Sequence, residues 1–236
     1  MPPTTNPPLP IRLLGVASYA AVVTSLLYFL AFLTGFVGAH DDGGNPVAAV
    51  AIDLGLVALF GASHSVMARA SFKRAWTRVI PAAAERSVYV LVASALLALL
   101  CWSWRPLPGP TLWSASGVAA TVLMTGQVLG FGIALLSSFL IDHYELFGLR
   151  QAFGRDAGPR QFRTPLLYRV VRHPLYLGLV ITLWLSPRMD LGRVVLAAAL
   201  TLYVAIGARL EERDLVRTFG DDYRRYQREV PMILPH

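Results

Sequence analysis

From Leu13 to Gly38 the chain carries no ionisable side chain other than Tyr19 and Tyr28. Ser87–Trp104 and Thr111–Ile141 contain no Asp, Glu, Lys, Arg or His, and Val47–Ala68 contains only Asp53 and His64 among them. The hydrocarbon core of a bilayer, roughly 30 Å thick, is crossed by about 20 apolar residues in a helix, so each stretch spans or nearly spans it. Strands are excluded there, because an open sheet edge leaves backbone groups unpaired in lipid. Composition agrees: 55% of the 236 residues are hydrophobic and 15% are charged, where soluble domains carry about 25% charged residues. The first stretch is too long for a signal peptide, and further spans follow it without a convincing cleavage site.

The spacing predicts spans over 12–38, 47–68, 87–105 and 112–141. Two shorter apolar segments, 174–187 and 194–208, are parted by Ser186–Pro187 and Asp190–Gly192, which break helices. They form a helical hairpin that does not fully cross, one broken fifth element, or two spans. The tail, 209–230, mixes acidic, basic and aromatic residues and is expected as a helix at the membrane surface. The fold class is therefore all-α: a polytopic transmembrane helical bundle of about five spans, the last a broken or hairpin element. Three regions are expected: a disordered Pro-rich N-terminus (1–11), a four-span bundle (12–141), and a cytoplasmic loop, hairpin and C-terminal helix (142–236).

The net charge of +7 is distributed in blocks. Arg69, Lys73, Arg74, Arg78 and Arg86 form one, Arg150 to Arg172 a second, and Arg209 to Arg228 a third. The alternate loops are poor in base: His40–Pro46 has no Lys or Arg, and Trp102–Thr111 has only Arg105. This is the positive-inside pattern, which places the N-terminus, the basic loops and the C-terminus in the cytoplasm. It also accounts for the positive charge without nucleic acid. Membrane lipids and a small molecule are the expected partners, and oligomeric state is left open. Cys101 is the only cysteine, so no intramolecular disulfide or cysteine metal cluster forms, and no metal site is expected.

The chemistry concentrates in two passages. In Tyr168–Gly178, Pro174 suits a helix start, which places His173 at the cap beside the positive end of the helix dipole. Such a site suits the carboxylate of an amino-acid-like ligand. Tyr176 shares a face with His173, and Gly178 permits close approach of a ligand or another helix. A helix start with a basic residue is also common at membrane borders. In the second passage Glu211 and Glu212 directly follow an apolar run, and Phe219-Gly-Asp-Asp-Tyr223 and Val230-Pro231 come after them. Carboxylates there accept from ribose hydroxyls and favour a sulfonium cation, or they pair with neighbouring arginines on a surface helix.

Together, Arg172-His-Pro-Leu-Tyr-Leu-Gly178, Glu211-Glu-Arg-Asp-Leu215, the Phe-Gly-x-x-Tyr-x-x-Tyr run to Tyr226, and Val230-Pro231 resemble the isoprenylcysteine carboxyl methyltransferase-like superfamily, to which phospholipid methyltransferases are related. The resemblance implies S-adenosylmethionine as cofactor, with His173, Tyr176, Gly178, Glu211 and Glu212 binding it. His64–Arg69, Glu85–Leu91 and Phe139–Gln151 extend the likeness over nearly the whole chain to the methanethiol S-methyltransferase family. That implies an enzyme methylating methanethiol to dimethyl sulfide, with S-adenosylhomocysteine as by-product.

In-line methyl transfer needs nucleophile and methyl carbon held near 3–3.5 Å, and the thiol attacks as thiolate. Ionisable residues at the membrane face are the candidates for its activation. His143, between Asp142 and Tyr144 at the end of the fourth span, is expected to take the thiol proton or to cap the helix end. Arg86 binds a carboxylate, raises thiolate occupancy or anchors the interface. His64 is a second catalytic candidate, eleven residues from Asp53 and on the same helix face, where packing is the alternative. Tyr89, Asp142 and Tyr144 are expected around the substrate, whereas Trp102, Trp104 and Trp113 fit an interfacial belt. Prenylcysteine or phospholipid acceptors, a nicotinamide-dependent reductase, and a haem-binding or transport protein using His64, His143 and Asp53 are the competing classes.

Overall fold

The computed structural model describes residues 6–38, 45–155 and 162–234, so residues 1–5 of the N-terminus expected to be disordered, and 156–161 of the expected cytoplasmic loop, lie outside the described residues. Among the described residues, five helices are long and apolar enough to cross a membrane: α1 (Leu9–Thr34), α2 (Pro46–Ala68), α4 (Ala82–Ser103), α5 (Gly117–Ile141) and α9 (Leu191–Phe219). The protein is an all-α integral membrane protein. Shorter helices fill the connections: α3 (Ala70–Trp76), α6 (His143–Leu146), α7 (Leu149–Ala152), a 3-10 turn at Leu166–Arg169, α8 (Pro174–Trp184) and α10 (Asp221–Glu229). Local chemistry sets several boundaries. Asn45 Oδ1 accepts from the Val47 amide at 2.8 Å with Pro46 in the first turn of α2, and Asp190 Oδ1 accepts from the Arg193 amide at 3.0 Å to open α9.

The final apolar region breaks where the sequence placed the break, but its second helix runs further than expected. It holds one 11-residue helix and one unbroken 29-residue helix, with the break confined to Leu185–Asp190. At 1.5 Å per residue α9 is about 43 Å long, so the stretch from Arg209 onward extends past the apolar core rather than forming a separate surface helix. Only at Gly220, with φ of 58°, does the chain turn into α10. Residues 112–114, expected in the fourth span, instead lie in strand β1 (Thr111–Ser114), which pairs antiparallel with β2 (Arg188–Asp190) outside the apolar helices.

The chain divides into two compact units. The first comprises Met1–Phe32, Val37–Arg105 and Asp142–Arg160. In it α4 packs on α2 and α7, and Val22, Tyr89 and Val90 form a buried cluster with Tyr19, Leu26, Met67 and Phe147 against it. Trp104 is 3% exposed and meets Phe32 edge-on, which removes it from the interfacial belt, while Trp102 stays 61% exposed.

The second unit comprises Leu33–Phe36, Pro106–Ile141 and Gln161–His236. Its centre is the α5–α8 pair, which runs antiparallel: Gly126 lies under Leu185, Gly130 under Ile181 and Gly178, and Ser137 opposite Tyr168. Buried Gln127 donates to the Thr182 carbonyl at 2.9 Å. The β1–β2 ribbon closes the end of this pair.

Candidate active site

In the second unit the two motif passages meet. His173 is the N-cap of α8 and Pro174 its first residue. The backbone just before the helix is held from the far side of the sequence: the Arg172 amide donates to the Pro231 carbonyl at 2.9 Å and the His173 amide to Met232 at 3.1 Å. The Arg172 guanidinium donates to the carbonyls of Gln227 and Val230. Val230–Met232 thus fastens the start of α8 to the end of α10.

The glutamate pair separates into two roles. Glu212 Oε1 accepts from Arg172 Nε at 2.6 Å and lies 3.2 Å from His173 Nε2, while its Oε2 accepts from Gln227 Nε2 at 3.0 Å. Its side chain is 12% exposed and both oxygens have protein partners. Glu211 is 46% exposed. Its Oε2 accepts from the Tyr176 hydroxyl at 2.8 Å and lies 3.9 Å from His173 Nδ1. Its other oxygen, Oε1, brings acceptor capacity of its own. The His173 and Tyr176 rings stack at 5.2 Å with an interplanar angle of 16°.

Gly178, placed with the cofactor residues by its motif, faces α5 instead. A Cβ there would stand 2.5 Å from both the Gly130 carbonyl oxygen and the Ala134 amide nitrogen. The absent side chain brings two helices together and leaves a ligand no room.

Behind the glutamates, Tyr223 and Tyr226 pack around Phe162, and the Tyr226 hydroxyl donates to the Tyr168 carbonyl. Burial pushes the Tyr226 phenol up to about 12 and raises Tyr223 as well, so both are neutral scaffold. An open cleft of about 460 Å³ beside them is lined by Arg209, Glu212, Arg213, Val216, Arg217 and Gln227.

The first unit carries two tyrosine–histidine pairs. His143, 4% exposed, lies with Nε2 2.9 Å from the Tyr19 hydroxyl, between the rings of Tyr144 and Phe147. Burial pulls its pKa below the ordinary histidine value, with Asp142 acting the other way. Asp142, expected near substrate, is committed: it accepts from the Glu145 amide at 3.0 Å, capping α6, and pairs with Arg150 at 2.9 Å. Tyr144 is 50% exposed. In the other pair the Tyr89 hydroxyl lies 2.9 Å from His64 Nε2. Arg86 sits 4.8 Å over the Tyr89 ring and donates from Nε to the Leu146 carbonyl at 2.9 Å. Asp53 is fully buried and does not meet His64; its Oδ1 accepts from the Arg105 amide at 2.9 Å.

Sequence reasoning missed three residues. Arg172 stood inside the quoted motif and was read only as loop charge. Gln227 and Tyr19 carry no signal of their own, since their partners lie 15 and 124 positions away.

The chain matches the NnrU protein family over residues 54–233. It belongs to that family. Among NnrU-like relatives, Methanethiol S-methyltransferase 2 of Bradyrhizobium diazoefficiens is 46% identical over 96% of this chain and 90% of its own length. Methanethiol S-methyltransferase of Mycobacterium tuberculosis is 41% identical over 94% of each chain. Nurim of Homo sapiens is 34% identical over 77% of this chain and 73% of its own. No solved structure matches the NnrU-family chain described here.

Proposed function

We propose that this protein is an integral membrane methyltransferase that moves the methyl group of S-adenosylmethionine to the sulfur of methanethiol, giving dimethyl sulfide and S-adenosylhomocysteine. One observation carries the reading: the half-exposed Glu211 carboxylate stands beside the stacked His173 and Tyr176 rings at the start of α8. It stands in a chain 46% identical to Methanethiol S-methyltransferase 2.

S-adenosylmethionine supplies a methyl group activated by a sulfonium charge. The residues fit such a donor. Glu211 Oε1 accepts from hydroxyls, and its negative charge favours a cationic ligand. His173 and the amide end of α8 favour the carboxylate of an amino-acid moiety, and Tyr176 holds Glu211 in place. Arg172, Glu212 and Gln227 act one layer behind, fixing the His173 ring and the helix start.

On the acceptor side, His143 takes the proton that the thiol must lose. Arg86 favours the thiolate by its charge, while Tyr89 and His64 hold Arg86's surroundings. Tyr144 lies beside the acceptor, and Asp142 orients α6. The enzyme works in a bacterial inner membrane with its basic loops and termini in the cytoplasm, in accord with the charge asymmetry.

The decisive experiment incubates detergent-purified protein with S-adenosylmethionine and methanethiol and follows dimethyl sulfide in the headspace. Product appearing in step with S-adenosylhomocysteine supports the reading. Donor binding without product redirects the acceptor to a prenylcysteine or phospholipid. Failure to bind the donor at all removes methyl transfer altogether.

A further inference from the structure

Beyond its apolar run, α9 changes character along one face. Residues 194–208 hold no charged side chain, and Arg209 is the first cation after them. Arg209, Glu212, Arg213, Val216 and Arg217 recur at intervals of three and one, so they form a single stripe along the helix. Together with Gln227 of α10, that stripe lines the cleft of about 460 Å³, a volume within the roughly 300–1,000 Å³ of small-molecule sites. All six residues belong to the second unit.

The wall of the cleft is cationic. Its three guanidinium groups stand with one carboxylate, and that carboxylate, Glu212, is engaged by Arg172 at 2.6 Å and by Gln227 at 3.0 Å. The other acids on this stretch also have partners: Asp214 pairs with Arg217 at 3.1 Å, and Glu211 accepts from Tyr176 at 2.8 Å. Arg209 and Arg213, both exposed, therefore set the charge that the cleft offers. Guanidinium groups present planar forks that phosphate oxygens fill in pairs. Loop charge asymmetry requires arginines on this side of the membrane; it does not require them in a row along a cleft.

Height along α9 selects the source of the phosphate. Four helical residues advance about 6 Å, and each headgroup layer outside the hydrocarbon is about 5–7 Å thick. With the apolar run ending at Ala208, Arg209 stands at the hydrocarbon edge and Arg213 across the headgroup layer. A phospholipid carries its phosphate at that level. The positive wall favours a headgroup whose phosphate is its only charge over one that adds an ammonium.

We propose that this cleft binds the phosphate of one anionic phospholipid between Arg209 and Arg213. The site shares Glu212 and Gln227 with the His173 cluster but does not rest on the methyl-transfer reading. The test counts lipids on the full chain by native mass spectrometry in detergent, titrating phosphatidylglycerol against phosphatidylcholine of the same acyl chains. One phosphatidylglycerol per chain is expected to bind more tightly than phosphatidylcholine. Arg209→Gln with Arg213→Gln should weaken it about 30-fold, the loss of two cations beside a lipid phosphate. Arg225→Gln with Arg228→Gln removes equal charge outside the cleft and should leave binding near wild type. Equal affinity for the two lipids overturns the proposal, as do equal losses in the two double variants, which would reduce the effect to diffuse charge. Displacement of the lipid by an equal concentration of inorganic phosphate assigns the arginines to a free anion and overturns the lipid as occupant. Displacement by S-adenosylmethionine assigns the cleft to the methyl donor and overturns it too. A chain that selects phosphatidylglycerol but makes no dimethyl sulfide keeps this site and loses only the methyl-transfer reading.

Discussion

Glu212 is shared by Arg172, His173 and Gln227 while Glu211 leaves one oxygen to solvent, so the same substitution at the two positions should give different phenotypes. Glu211→Gln is expected to raise the apparent KM for the donor about tenfold, the scale of one lost hydrogen bond to a charged group, with little change in thermal unfolding. Glu212→Gln leaves the enclosed Arg172 without its counter-charge and is expected to lower stability by about 3 kcal/mol, read as an earlier unfolding transition in detergent. A third prediction follows from His143. Its pKa is depressed by burial, so the acid limb of kcat should lie below about 6.5, the ordinary histidine value. Asp142 works against that depression, so Asp142→Asn, which keeps a capping side chain, should move the limb further to acid. Stability follows the same sign. Below about 6.5 the unfolded chain binds a proton that the folded chain refuses, so His143's contribution is complete above that pH and is lost as pH falls through the depressed value. The motif singled out His173, Tyr176, Glu211 and Glu212 one by one, but not how their contacts divide. Which glutamate is enclosed depends on Arg172 and Gln227, and that follows from where α10 returns rather than from local spacing.

At the scale of elements, the packing of α5 against α8 is most sensitive at Gly178. A Cβ there meets backbone atoms of α5 at 2.5 Å, which cannot rotate away, whereas a Cβ at Gly207 meets nothing within 4 Å. Gly178→Ala is expected to cost about 1–3 kcal/mol through overpacking and to reduce donor binding by displacing the start of α8. Gly207→Ala serves as the neutral partner in the same thermal-unfolding series. The sequence made the spans legible because hydropathy reports the environment a helix must face. It misplaced the end of α9 for the same reason: the polarity change at Arg209 marks where lipid gives way to water, not where the helix stops. Nothing between Arg209 and Phe219 breaks a helix, and Gly220 does. The β1–β2 ribbon was invisible because its two strands lie in separate loops and each is too short for an alternating pattern.

For the whole molecule, the described residues hold five long apolar helices and the half-length α8, and the proposed orientation rests on charge. With the β1–β2 ribbon tying the loop before α5 to the loop between α8 and α9, the two ends of the α8–α9 excursion belong on the side opposite that ribbon. Single cysteines introduced at Arg74 and Arg224 in a Cys101→Ala background are therefore expected to react with an impermeant maleimide only in opened cells. A cysteine at Pro108 should react in intact spheroplasts. The His173 cluster also has a timing written into it. Arg172 and His173 take their backbone and guanidinium acceptors from Val230, Pro231 and Met232, the first pair 58 positions apart. While the ribosome is still delivering α9, the start of α8 is already in the membrane but unfastened. A nascent chain that has just passed Phe219 holds all five long helices of the described residues and still lacks the Val230–Met232 acceptors that fasten the start of α8, so the His173 cluster is the last part to close.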